Sequence, residues 1–221
     1  MTALSILVVG LLLGMKHATE ADHLAAVAAL AARQTSLTQA LRQGLAWGVG
    51  HTLTLMLFGG AVFALGQAIS PGLGQALETA VGLMLVVLGA DVLRGLIRDR
   101  LRFRIQRPDA EGAHAHPQRW PLRALAVGMM HGLAGSAALV MLSLQGLPSV
   151  ALGMGYVAVF GLGSIVGMGM LSVVIAMPLK LSAQYLLGLH RAMRALVGIC
   201  SIGLGVSIVV EIGYLKAQLF A

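Results

Sequence analysis

Five ionisable side chains fall within eight residues of an otherwise apolar stretch: Lys16, His17, Glu20, Asp22 and His23. His51 and His131 lie in two further apolar runs. Neutral imidazole ligates Zn, Cu, Fe and Ni, and a carboxylate adds charge that offsets a dication. Four imidazoles with one or two carboxylates and no thiolate therefore suit a borderline transition-metal dication. Copper(I) favours sulfur, and magnesium or calcium an all-oxygen shell. The candidate metal ligands are His17, Asp22, His23, His51, His131 and Glu20. A competing reading makes residues 16–23 a self-neutralising charge network. Lys16 and Glu20 are four apart and can pair on one helix face, and Lys16, which would repel a cation, is expected to point away and bind Glu20. Spacing adds a constraint. His17 and His23 are six apart, about 240° around a regular helix. They can face one ion only where the helix bends or unwinds, and Gly14 marks an expected break.

The elements carrying these residues are membrane spans. Of 221 residues, 58% are hydrophobic and 10% charged, with a mean hydropathy of +0.89. Soluble chains are nearer ~45–50% and ~25%, so a soluble domain, a disordered chain and a collagen-like chain are excluded. The single cysteine excludes an intrachain disulfide and a cysteine-cluster metal site. A bilayer core of ~30 Å needs ~20 apolar helical residues. Six runs qualify: roughly 3–32, 44–69, 76–97, 122–144, 149–177 and 184–213. They lack the period-two alternation of a membrane barrel. The two runs of nearly 30 residues must tilt, kink or break.

Charge placement sets the orientation. The net charge of +7 would point to nucleic acid in a soluble chain. Here the basic residues mark sidedness instead, and no nucleic acid partner is expected. Arg94, Arg98, Arg100, Arg102, Arg104, Arg107, Arg119 and Arg123 gather around one loop. Putting that loop in the cytoplasm also puts Arg33, Arg42, Lys180, Arg191 and Arg194 inside, so 13 of the 15 Lys and Arg agree. The N-terminus is then outside. No basic residue precedes Lys16, so the first run is expected to be a span and not a cleaved signal peptide.

The chain also repeats itself. Gly14-Met15-Lys16-His17 recurs as Gly128-Met129-Met130-His131, 114 positions later. Trp47-Gly48-Val49-Gly50-His51 resembles Phe160-Gly161-Leu162-Gly163-Ser164 at an offset of 113. Val81-Gly82 and Leu88-Gly89 recur as Val197-Gly198 and Leu204-Gly205 at 116. One match per helix indicates two halves of three helices, and an odd number of spans inverts one half against the other. Such inverted repeats place a binding site near the midplane between the halves. The expected fold is an all-α polytopic membrane protein of six transmembrane helices: residues 1–98 as the first three-helix repeat, 99–121 as a basic cytoplasmic loop, and 122–221 as the second repeat. Glycines four apart, such as Gly10/Gly14 and Gly128/Gly132, let membrane helices approach closely.

Depth favours the ligand set over the charge network. His51 is nine residues past Arg42 and His131 eleven past Trp120, about 13 and 16 Å along a helix. Both sit near the middle of a ~30 Å core, as do the residues bracketed by His17 and His23. His17-Ala18-Thr19-Glu20-Ala21-Asp22-His23 resembles the His-x4-Asp-His signature of the nickel/cobalt transporter family, above all its six-helix, urease-accessory-type membrane members. Gly50-His51-Thr52 and His131-Gly132-Leu133-Ala134-Gly135-Ser136 are similar to further motifs of that group. Glu20 stands where the family often has Asp and Lys16 where it often has Arg. The resemblance implies a non-enzymatic permease of the cell inner (plasma) membrane. It implies Ni²⁺ or Co²⁺ as transported substrate, no resident cofactor, and His17, Asp22 and His23 as metal-binding. Expected partners are the lipid bilayer, the metal ion, and a cytoplasmic metallochaperone or metalloenzyme maturation system. Two alternatives stay open: a non-transporting membrane accessory protein supplying a metalloenzyme, and an exporter of a small organic solute. An intramembrane metalloenzyme would use the same ligands, but no His-Glu-x-x-His motif occurs.

Weaker signals complete the reading. His114 and His116 in the basic loop could collect metal. Met15, Met129, Met130, Met168 and Met170 read as packing residues. Asp91 is expected to pair with Arg94, three residues on. Cys200 reads as a small apolar residue.

Overall fold

The computed structural model describes residues 3–34, 36–61, 70–105, 121–134 and 150–219. His114, His116, most of the basic loop and parts of the runs 44–69, 122–144 and 149–177 lie outside them. The described residues form seven α-helices and one π-helical turn, with no strand: α1 Ala3–His17, α2 Ala21–Ala31, α3 Leu37–Thr54 running into the π turn Leu55–Gly59, α4 Pro71–Ile105, α5 Leu122–Leu133, α6 Val150–Tyr185 and α7 Leu187–Leu219. Gly72–Asp99, Ala151–Tyr185 and Leu187–Tyr214 are each long and apolar enough to cross a bilayer, and the bent pair α1–α2 makes a fourth candidate. Large apolar side chains point outward along these helices. Val87 is 62% exposed, Val174 63% and Leu196 62%, a surface that water does not tolerate and lipid does. The described residues are all-α, with three helices that suit a membrane by length and composition.

The first run does break. α1 ends at His17, α2 starts at Ala21, and the two are bent by 58°. Thr19 and Glu20 N–H donate to the Lys16 and His17 carbonyls, and the Thr19 hydroxyl also donates to Lys16 O. These bonds close the last turn of α1 before the chain turns. Glu20 is extended (φ −63°, ψ 150°) and begins α2. Gly14 is not the hinge. It lies where α1 crosses α6, and a Cβ there would overlap the Phe160 carbonyl. The expected Lys16–Glu20 pair does not form. The helix stops between the two residues, so the i,i+4 neighbourhood does not exist, and Glu20 turns to His17 instead.

Helix contacts are reciprocal between the two parts of the chain. α1 packs along α6, α3 along α5 and α6, and α4 along α7. Gly14 meets the Phe160 carbonyl while Gly128 meets the Trp47 carbonyl. Gly163 meets the Leu11 carbonyl while Gly50 meets that of Leu125. Gly82 abuts Gly205 as Gly89 abuts Gly198. Without hydrophobic drive in lipid, such backbone proximity supplies the van der Waals contact that holds helices together. α2 fills the middle, with Ala26, Val27 and Leu30 buried and Ser201 of α7 donating to the Ala25 carbonyl.

Arginines tie one end. Asp91 of α4 pairs with Arg33 after α2 and with Arg123 of α5 (2.6 Å), and Asp99 pairs with Arg194 of α7 (2.8 Å). The expected partner Arg94 is not used. Asp91 sits on the face of α4 that meets the ends of α2 and α5, where two guanidinium groups arrive from other helices.

Gly128→Ala is expected to lower thermal stability in detergent by about 1–3 kcal/mol, the usual cost of overpacking. Gly203→Ala, where a Cβ meets nothing within 4 Å, leaves it unchanged or raised. Equal effects of the two substitutions would contradict the packing described.

Candidate metal centre

Three helix ends and one helix start bring the histidines together. His17 closes α1, His23 is in the first turn of α2, His51 is in the last turn of α3, and His131 is in the last turn of α5. All four are buried: His17 is 3% exposed, His23 and His131 2%, and His51 0%. His23 is the hub. Its ring centroid lies 4.3 Å from that of His17, 4.3 Å from His131 and 5.3 Å from His51, and His17 and His51 are 5.3 Å apart. The bend at residues 18–20 permits this, since His17 and His23 no longer share one helix.

The carboxylates have different places. Asp22 Oδ1 accepts from the backbone N–H of His23 (2.8 Å) and from its Nδ1 (2.9 Å). Its other oxygen, Oδ2, lies 3.0 Å from His131 Nε2. This carboxylate lies in the first turn of α2, where negative charge is favoured, and orients two imidazoles. Glu20 is further out, 46% exposed, with Oε1 3.0 Å from His17 Nδ1. The remaining ring nitrogens have no protein partner: Nε2 of His17, both of His51, Nε2 of His23 and Nδ1 of His131. A buried polar atom left unpaired costs ~1–3 kcal/mol, and buried groups are rarely left so.

Two ligand groupings follow from the distances. One atom from each of His17, His23 and His51 lies within 4.8 Å of the others, and so do atoms of Asp22, His23 and His131. The structure therefore brings together all five of His17, Asp22, His23, His51 and His131, with Glu20 at the edge.

The supporting groups are less visible in sequence. Thr54 donates its hydroxyl towards the Gly50 and His51 carbonyls and to Met129 O on α5 (3.0 Å), fixing the two histidine-bearing helices side by side. Ser164 of α6 donates to the Gly14 carbonyl of α1 (3.2 Å). Trp47, one turn before His51, is fully buried beside His23 (5.4 Å) and His131 (5.6 Å). Its spacing of four from His51 was the available signal. The π turn Leu55–Gly59 after His51 belongs to a class of distortion frequent at functional sites, and no residue pattern announces it.

Asp22→Ala removes the acceptor of two buried imidazoles. It is expected to cost metal-free protein about 1–3 kcal/mol in thermal unfolding, more than Glu20→Ala. The reverse order would contradict the assignment of Asp22 as the organising carboxylate.

No family model and no solved structure matches the chain. The urease accessory protein UreH of Bacillus sp. (strain TB-90) is 32% identical over 216 residues, spanning 95% of this chain and 92% of its own. Two Arabidopsis thaliana proteins, Chloroplast protein FOR GROWTH AND FERTILITY 2 and 1, are 25% and 26% identical. They match 86% and 91% of this chain but only 52% and 58% of their own lengths. UreH carries the name of an accessory protein and not of a catalyst, and it aligns nearly end to end. The chain belongs to the urease-accessory UreH family, the group that its His17–His23 signature resembles.

Proposed function

We propose that the protein is a permease for a divalent transition-metal ion, Ni²⁺ or Co²⁺, bound by His17, Asp22, His23, His51 and His131. The observation that carries this reading is the convergence of His17, His23 and His51 with unpaired nitrogens in a buried position. Neutral imidazoles backed by one carboxylate offer borderline ligands and partial charge compensation, and Asp22 supplies the outer-shell bond that metal-binding histidines usually make. Ring centroids only 4.3–5.3 Å apart favour an ion over an organic solute.

The architecture proposed with it is six spans in two inverted repeats, 1–98 and 122–221, joined by a basic cytoplasmic loop at 99–121. The reciprocal glycine contacts support the repeat, and the gathering of Arg33, Arg123 and Arg194 at one end supports a common side for them. The N-terminus is then outside, and the membrane is the plasma membrane. Rocking of the halves about the histidines would expose the ion to either side. The name of the UreH relative supports delivery of the ion to a urease-type maturation system in the cytoplasm. A membrane accessory protein that binds metal without moving it uses the same ligands. Flux into liposomes separates the two, because a pure binder gives none.

His23→Ala and His51→Ala are expected to lower Co²⁺ binding by at least about 10-fold and to abolish uptake into proteoliposomes. Unchanged uptake by both would refute the proposal. Binding is expected to weaken as pH falls, because protons compete for neutral imidazole. In a Trp120→Phe background, Co²⁺ is expected to quench the fluorescence of Trp47, which sits beside two of the rings.

A further inference from the structure

Beside the centre lies a cavity that the sequence did not single out. A cavity of about 390 Å³ lies between α2, α4, α7 and the end of α5, and its wall includes Ala21, Asp22, Glu78, Ala134 and Glu211. Asp22 is the carboxylate that bonds both His23 and His131, so the cavity reaches the group that holds two of the histidines. Its other two carboxylates come from α4 and α7. These helices run antiparallel, with Gly82 against Gly205 and Gly89 against Gly198. Glu78 and Glu211 therefore lie at the same end of the pair, opposite the end where Arg194 meets Asp99. Neither glutamate makes an ion pair among the described residues. Both side chains are exposed, two residues inside the ends of the runs 76–97 and 184–213, so they stand at the outer part of the cavity wall.

We infer that this cavity is the port through which a divalent cation reaches the histidines, with Glu78 and Glu211 as its attracting charges and Asp22 as its inner wall. The inference rests on the proposed metal centre and adds the route to it. Carboxylates lining a low-dielectric cleft focus the field and raise the local cation concentration, an effect that salt screens. Glu78 and Glu211 are not ligands at the centre, so neutralising them changes how fast the ion arrives and not how many ions bind.

The test uses Co²⁺ with the full chain in proteoliposomes. The double variant Glu78→Gln/Glu211→Gln is expected to raise the KM for Co²⁺ uptake on the order of 3- to 10-fold at low ionic strength. The maximal rate and the Co²⁺ stoichiometry of purified protein at saturation stay at wild-type values, which also reports that the variant is folded. The KM difference shrinks as salt is added. Ala21→Cys, in a Cys200→Ser background, is expected to react with a water-soluble cationic thiol reagent and to be protected by Co²⁺. A double variant with wild-type KM, or an Ala21→Cys thiol that the reagent does not reach, overturns the port. Wild-type protein that binds no Co²⁺ overturns the metal centre instead.

Discussion

Five imidazole nitrogens without a protein partner, all on buried rings, set the terms for the rest of this molecule. Each would be stabilised by a hydrogen bond, yet the fold supplies carboxylates only to one nitrogen each of His23 and His131, through Asp22, and of His17, through Glu20. Four helix segments are nevertheless brought to this point, and their backbones are packed tightly enough that a methyl group at Gly14 or Gly128 would collide with a carbonyl across the interface. A stability-driven core would place Leu or Phe there. The arrangement makes sense when the unpaired nitrogens are read as ligands.

The reach of the sequence can be seen residue by residue. His17, Asp22, His23, His51 and His131 stood out because ionisable groups in long apolar runs are expensive, and that cost is local and readable. The break between His17 and His23 was legible too, from the arithmetic of helical rotation. Its position was not. Gly14 looked like the hinge, but small residues serve close approach as well as flexibility, and the turn falls at residues 18–20. The pairings of Glu20 and Asp91 were misread for one reason. Neighbours along a helix are visible in sequence, whereas Arg33 and Arg123 reach Asp91 from other helices, and a helix end deprives Glu20 of Lys16. Trp47, Thr54 and the π turn escaped because their roles exist only once α3 lies against α5.

Relatives and geometry inform different parts of the picture. Near end-to-end similarity to UreH fixes the family, while the two longer plant proteins show that a chain of this length also occurs as about half of a larger one. Neither says which atoms matter. That comes from the orphaned ring nitrogens and from the reciprocity of helix contacts, in which each half uses its glycines against the other's carbonyls.

His23 belongs to both ligand groupings, and this has a further consequence. Two dications a few ångströms apart in a medium of low dielectric repel by many kcal/mol, so ions on the His17 side and the His131 side of one ring exclude each other. In the proposed permease the two triads would therefore be filled one at a time, and a successor would wait until the first ion had gone.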